Sequence, residues 1–333
     1  MKEFDYIIVG GGASGLQLAD ALGSDPYFAD KRIALFERER QKGNDRTWCY
    51  WEPGEGRFDA LLTKSWDQIR FRGPEFQRKL TLDPYRYKML RGADFYAEYH
   101  RRIAEYPNLQ VHHVEVQSIE EREAGAVVIS DKGEFQARQV FSSVSFEPME
   151  KLMTPFPVLQ QHFLGWFVRC DQPVFDPNAP TFMDFSIPQD GNTRFMYVLP
   201  LSETEALVEY TLFSETFLQI SEYEAALEKY MKEDLGDPAY EILEKEQGSI
   251  PMTVNDFTAA DRPYLVHIGI AGGWAKASTG YTFWSTSQKV HQLVEALKSG
   301  KPLKMAKKSK FWYYDRIMLD VLARENSKGS QIF

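Results

Sequence analysis

Tyr6 to Val9 is a short apolar run that stops at Gly10, Gly11 and Gly12 and passes through Ala13, Ser14 and Gly15 into LQLADAL, where Leu16, Ala19 and Leu22 recur at helical spacing. The pattern predicts strand, tight turn, helix. A second apolar run, Ile33 to Phe36, ends at the acid Glu37. Asn108 to Ile119 alternates as a strand does, and Gly125 to Val144 reads as a hairpin: AVVIS, a DKGE turn, FQARQVFSSV. From about 150 to 255 the texture shifts to strand-like segments rich in Phe, Tyr and Thr with proline-containing turns. One helix interrupts them, with Ser221 and Glu224 as an expected capping box and Tyr223, Leu227, Tyr230 and Met231 as its apolar face. The last third returns to α/β texture. PYLVHIGI reads as a strand, AGGWAKASTGYTFW as a glycine-rich loop and second phosphate or flavin cradle, and Val290, Leu293, Val294 and Leu297 as a helix closed by Gly300.

The opening unit carries the dinucleotide-binding fingerprint in its required context. Gly10 permits the turn, Gly12 lets backbone approach a pyrophosphate, and Gly15 allows close helix packing, with Ala13 and Ser14 in the same set; Glu37, about 20 residues beyond, would accept a ribose hydroxyl. The plainer alternative is that the glycines only shape a turn. The order of elements predicts an α/β protein, a Rossmann-like nucleotide domain with an inserted, mainly antiparallel β substrate lobe. The expected division is 1–60 and 106–148 for the nucleotide domain, 61–105 for a helical and loop insertion, 149–255 for the substrate lobe, and 256–333 for the rest of the nucleotide domain with a helical, partly basic tail.

Composition narrows the field. At 333 residues the chain exceeds one ordinary core, and 43% hydrophobic with 26% charged residues excludes a disordered or collagen-like chain. Two cysteines, Cys49 and Cys170, cannot build a disulfide framework and fit a reducing, cytosolic setting. The N-terminus lacks a signal-peptide pattern, and no stretch of eighteen apolar residues is present to span a membrane. A net charge of -9 argues against a nucleic-acid partner. His112 and His113, adjacent on an expected strand, point to opposite faces, and no metal-ligand cluster, nucleophile elbow or CxxC pair appears elsewhere.

Glu209 is the most informative position. In ALVEYTLF, Leu207, Thr211 and Phe213 share its face while Val208, Tyr210 and Leu212 take the other, so both faces read as buried. A carboxyl desolvated there holds its proton toward neutral pH, which is what a general acid requires. The alternative is an edge strand whose Glu reaches solvent. Asp184, in TFMDF, is a second acid among apolar neighbours, with a turn or capping role near Pro188 as its plainer reading. Aromatic clusters flank these acids: Trp48, Tyr50 and Trp51; Phe163, Trp166 and Phe167; Trp274, Tyr281, Phe283 and Trp284. Core packing explains many of these rings, but ring faces also stabilise a transient cation. With a protonated carboxyl, they point to acid-initiated alkene chemistry. Lysines 298, 301, 304, 307, 308 and 310 run into Phe311-Trp312-Tyr313-Tyr314. This reads equally as a peripheral membrane-surface patch or as a solvated loop beside a core helix.

Together these motifs resemble the flavin-dependent lycopene cyclases of the bacterial and plant β-cyclase type, the bacterial Bacteroidetes-like kind most of all. The resemblance rests on GGGASG; Asn44-Asp45-Arg46-Thr47-Trp48; Gln161-His162-Phe163-Leu164-Gly165-Trp166; Met183-Asp184; Tyr197-Val198-Leu199-Pro200-Leu201; Leu207-Val208-Glu209-Tyr210-Thr211; Ile250-Pro251-Met252; and Ala271-Gly272-Gly273 with Thr279-Gly280-Tyr281. The segment 125–144 likewise resembles the hairpin that returns the chain to the nucleotide domain in glutathione-reductase-like flavoproteins. The resemblance implies reduced FAD, NAD(P)H as reductant, and redox-neutral closure of the ends of lycopene or a related acyclic carotenoid to β-ionone rings at the cytoplasmic face of the cell membrane. It implies that Glu209 is the acid, with Asp184 next in line. It also implies that Arg46, Thr47, Gly272, Gly273, Thr279, Gly280 and Tyr281 join Gly10, Gly12, Ala13, Ser14, Gly15 and Glu37 in holding FAD. Departures are specific: Tyr210 stands where the family carries a second acid, and Ala277 where proline is common. Relatives usually run on past Phe333, so the resemblance implies a C-terminal truncation. The competing readings are an FAD/NAD(P)H oxidoreductase acting on a polyene or isoprenoid lipid, and a non-catalytic carrier.

Overall fold

The computed structural model describes residues 2–146, 156–303 and 309–333. In chain order its strands and longer helices are β1 (Lys2–Val9), α1 (Ala13–Ser24), β2 (Ile33–Glu37), β3 (Thr47–Pro53), β4 (Lys64–Trp66), β5 (Gln68–Gly73), β6 (Phe76–Thr81), β7 (Tyr85–Arg91) and α2 (Gly92–Ile103). There follow β8 (Leu109–His113), β9 (Val116–Arg122), β10 (Gly125–Ser130), β11 (Gly133–Ser142), β12 (Leu159–Cys170), β13 (Thr181–Asp184), β14 (Thr193–Pro200) and β15 (Glu205–Ser214). The chain closes with α3 (Ile220–Glu233), β16 (Tyr240–Met252), β17 (Leu265–His267), α4 (Phe283–Ser299) and α5 (Lys310–Arg324).

The first sheet is the nucleotide-domain sheet, ordered β8-β2-β1-β11-β10-β9, with β17 beside the far end of β11. β1, β2, β8, β11 and β17 run parallel, while β9 and β10 add an antiparallel edge. Buried strands such as Ile33–Glu37 are continuous apolar runs because helices cover one face, where Leu16 and Leu22 of α1 meet Val290 and Leu293 of α4. Gly10 sits at φ 94°, and a Cβ at Gly15 would lie 1.8 Å from the Gly10 carbonyl oxygen. Only glycine fits the turn that starts α1 from β1.

The second sheet is ordered β16-β12-β15-β14-β13-β5-β6. One face is sealed by α3, whose Tyr223, Leu227, Tyr230 and Met231 pack on Val208, Tyr210 and Leu212, as the apolar pattern predicts. The other face looks toward the nucleotide domain. A three-stranded sheet, β3-β7-β4, stands beside it.

Several local expectations change. The 61–105 stretch, expected to be helix and loop, carries β4 to β7 before α2, and β5 enters the second sheet by parallel pairing with β13. Asn108 to Ile119 is not one strand: β8 pairs with β2 and β9 with β10, so the chain leaves one ladder for another at Val114. The α3 capping box uses Gln219 and Glu222, not Ser221 and Glu224; Glu222 Oε2 accepts from Gln219 N at 2.8 Å, and glutamine serves as N-cap acceptor in place of serine. Glu224 instead accepts from Lys245 at 2.6 Å. The expected boundary at 148/149 lies outside the described residues, as do Lys304, Lys307 and Lys308.

Candidate functional site

Between the first two sheets lies a cavity of about 380 Å³. Gly12, Ala13 and Ser14 at the start of α1 form one end, Arg46 to Cys49 of the β3 segment and Thr279 to Phe283 before α4 form the sides, and the second sheet supplies the other wall. Strand register builds that wall. Gly165 on β12 is directly opposite Glu209 on β15 and Glu246 on β16, and Glu209 is opposite Tyr197 on β14. Directly opposed residues share a face, so Glu246, Gly165, Glu209 and Tyr197 form one row across four strands. The glycine leaves the two carboxyl side chains without a barrier between them; a Cβ there would meet Leu207 Cδ1 at 2.8 Å and Glu209 Cβ at 3.4 Å.

The two acids are held differently. Glu209, which lines the cavity, accepts at Oε1 from Thr211 Oγ1 at 2.7 Å. Desolvation, reinforced by the Glu246 charge and only partly offset by Thr211, pushes its pKa up to about 8. Both oxygens of Glu246 accept from Thr47, Oε1 from N at 2.8 Å and Oε2 from Oγ1 at 2.6 Å. Burial raises the Glu246 pKa as well, but the Thr47 bonds and the Arg46 charge oppose it. The Tyr197 phenol of this row interacts with the phenols of Tyr87 and Tyr281 and the thiol of Cys49 beside it, and burial drives all of them upward, so they are neutral donors at pH 7.

The cofactor end fits a phosphate-bearing flavin nucleotide. Gly12 is the N-cap of α1 with no side-chain cap, so the first N–H groups of the helix open on the cavity, and a Cβ at Gly12 would meet nothing within 4 Å. On two further lining residues, Gln161 Oε1 and Thr286 Oγ1 are buried without a hydrogen-bond partner among the described residues and are available to a polar ligand. Glu37 closes β2 beside the glycine turn, with Oε2 accepting from Gly11 N at 2.6 Å and pairing with Lys42 Nζ at 2.9 Å, and Oε1 accepting from Glu39 N at 2.9 Å. Burial works against ionisation of Glu37, yet these bonds outweigh it and hold its pKa below the usual value.

Of the residues singled out in the sequence, Gly12, Ala13, Ser14, Arg46, Thr47, Thr279, Gly280, Tyr281 and Glu209 line the cavity together. Gly10, Gly15, Gly272 and Gly273 shape turns behind it: a Cβ at Gly272 would lie 2.2 Å from the His267 carbonyl oxygen, and Gly273 has φ 66°. Asp184 stands apart. It is fully buried; Oδ2 accepts from Arg72 at 2.6 Å and from Tyr230 at 2.8 Å, while Oδ1 accepts from Ser186 N and Oγ at 2.9 and 2.5 Å. A carboxylate with both oxygens engaged by an arginine, a phenol and a serine ties β13 to β5 and α3, and it is not among the cavity-lining groups. Sequence reasoning missed Glu246, Lys42 and Tyr87, and it quoted Gln161 and Tyr197 as family-motif residues without giving them a site role. The available signal for Glu246 was its place ahead of Gly248 and the Ile250-Pro251-Met252 motif on an otherwise alternating strand. Of the two cysteines, Cys49 lines the cavity, whereas Cys170 is in the core.

The family described as "Lycopene cyclase protein" matches residues 5–324. This chain belongs to the lycopene cyclase family. The lycopene beta-cyclase of Pantoea ananas is 26% identical over 299 residues, covering 84% of this chain and 71% of that protein. The lycopene beta-cyclase of Paracoccus sp. is 26% identical over 310 residues, covering 90% and 74%. Among solved structures, the fold matches a geranylgeranyl bacteriochlorophyll reductase-like protein of Thermoplasma acidophilum with TM-score 0.68 at 14% identity, over 100% of this chain and 87% of that one. It also matches a p-nitrophenol 4-monooxygenase of Pseudomonas putida with TM-score 0.68 at 16% identity, over 100% and 89%. The family member is thus an α/β protein with a Rossmann-type sheet and an inserted, mainly antiparallel lobe, the fold it shares with those two structures.

Proposed function

We propose that this protein is a flavin-dependent lycopene β-cyclase. The carrying observation is the place of the Glu209 carboxyl, on the wall of a cavity whose other end is the uncapped N-terminus of α1, where desolvation pushes its pKa up to about 8. FAD, held by the α1 N-terminus, Arg46, Thr47 and the Thr279–Tyr281 loop and kept reduced by NAD(P)H, would supply negative charge beside a developing cation. Glu209 gives its proton to C2 of the linear end group, the C5=C6 double bond closes on the cation at C1, and loss of the C6 proton completes the β-ionone ring with no net redox change. The cavity wall serves this chemistry by excluding water: Phe163, Leu199 and Leu207 flank Glu209, and a cation quenched by water would yield an alcohol.

The substrate is lipid-soluble, so the protein must draw it from a membrane surface. Among the described residues no helix is long and apolar enough to cross a membrane. Helix α5 instead turns a stripe of Tyr313, Tyr314, Ile317 and Val321 outward, with Phe311 beside it, while Trp312, Leu319 and Leu322 pack inward. An apolar outer face on a helix that is already anchored by its inner one supports peripheral docking.

Anaerobic incubation of the purified protein with lycopene in liposomes, FAD and NADPH tests the reading, with products followed by chromatography and mass. An isomeric cyclic product without stoichiometric NADPH oxidation is expected. A product shifted in mass by oxygen or hydrogen would replace this reading with the oxidoreductase, and bound flavin with no product would leave a carrier.

A further inference from the structure

Cyclisation takes up one proton and releases one, so an acid accounts for half of it. From the row across the second sheet we infer that Glu246 is the second working carboxyl, the base that receives the C6 proton and returns it to Glu209. This rests on the cyclase reading and adds a residue to it.

Three observations carry the assignment. Glu246 and Glu209 are both register partners of Gly165, on the same sheet face, and both line the cavity. Their hydrogen bonds divide the labour: Glu246 accepts from Thr47 at both oxygens, an arrangement that favours the ionised form, whereas Glu209 has a single donor in Thr211. The Glu246 charge in turn favours the protonated form of Glu209. Other charged or titratable groups acting on the pair come from the residue before β3 (Arg46), from β3 (Cys49), from β14 (Tyr197) and from β16 itself, where Glu244 is paired with Arg91 of β7. At Glu246 the Thr47 bonds and the Arg46 charge favour the ionised form, against burial and the Glu244 charge, which raise its pKa.

The proton balance closes. Glu209 loses its proton to C2, leaving C1 cationic; the C5=C6 electrons form the C1–C6 bond and move the positive charge to C5. The C6–H pair then forms the new C5=C6 bond, and the proton passes to the Glu246 carboxylate. At that point the pair holds its proton on the wrong member. The Thr47 clamp favours ionised Glu246, so the proton crosses back to Glu209 and resets the site without an oxidant or reductant. Between the two transfers both carboxylates are negative, on either side of Gly165 and beside the cation.

The test compares the parent with Glu246→Gln and Glu246→Asp. Glutamine keeps a carbonyl oxygen for Thr47 N, so a purely structural role survives it. With the base removed, kcat is expected to fall at least about 100-fold at unchanged flavin content and substrate KM. Residual product is expected to include isomers that lose their proton from C4 or the C5 methyl group, and Glu246→Asp is expected to recover part of both rate and β-ring selectivity. β-Ring product at the parental rate from Glu246→Gln would overturn the inference while leaving the cyclase reading intact; no cyclic product from the parent would overturn both. A readout free of turnover is the protonated-carboxyl infrared band that Glu209→Gln abolishes. It is expected to titrate near pH 8 in the parent and lower in Glu246→Gln, and an unmoved titration would sink the coupling. If the Glu246 variants lose the fold, Thr47→Val answers the same question. It is expected to raise the pH at which activity is lost on the acid side, and an unchanged acid limb would count against the clamp.

Discussion

As the proposed acid, Glu209 would work only while protonated, and its environment decides when that is. Desolvation and the Glu246 charge raise its folded-state pKa to about 8, so the chemical step is expected to slow as pH rises through that value. Stability carries the same signature with a definite sign. An unfolded Glu ionises near its ordinary value, so between there and about pH 8 the folded state holds the extra proton, and stability falls as pH rises across that window. Glu209→Gln should therefore abolish ring closure at retained flavin content, and a thermal-shift series should show it gaining on the parent from acid toward pH 8. Asp184→Asn removes the charge that Arg72 and Tyr230 are built around; it should destabilise the fold by roughly 3 kcal/mol, measured by denaturant unfolding, with turnover per folded molecule unchanged. Glu37→Gln should weaken FAD retention, read as flavin absorbance after gel filtration, because neutral glutamine loses the ion pair with Lys42 that orders the segment beside the glycine turn.

At the scale of elements, β12 is the strand on which the site turns, since it pairs with β15 on one side and β16 on the other. A side chain at Gly165 would intrude between the carboxyls. Gly165→Val is expected to keep the sheet, which favours β-branched residues, while lowering cyclisation more than tenfold in the same product assay. Helix α5 makes a separate prediction. Ile317→Lys with Val321→Lys places charge on its outward stripe without touching the Leu319 and Leu322 contacts, so co-sedimentation with liposomes should fall while flavin content stays parental. The elements that read correctly from the sequence were those with local causes. The turn from β1 into α1 is dictated by Gly10 and Gly15, and the apolar face of α3 by helical spacing. The four strands from β4 to β7 did not read, because β5 is stabilised by β13, more than a hundred residues away in sequence, and β6 is exposed throughout its length.

On the scale of the whole molecule, the cavity exists because two sheets of different kind face each other. The nucleotide-domain sheet brings a helix N-terminus, and the antiparallel sheet brings a row of side chains whose spacing is set by its ladders. The sequence by itself determined the strand–turn–helix opening, the alternation that buries both faces around Glu209, and the family motifs, because glycine geometry and side-chain period act within a few residues. Only the tertiary structure decided which acids meet. Asp184, attractive among apolar neighbours, is drawn into an ion pair by Arg72 from β5, and Glu246, unremarked on an alternating strand, is placed opposite Gly165 by the register of β12 with β16. Register depends on hydrogen bonds between segments far apart in the chain, and no local pattern encodes a partner.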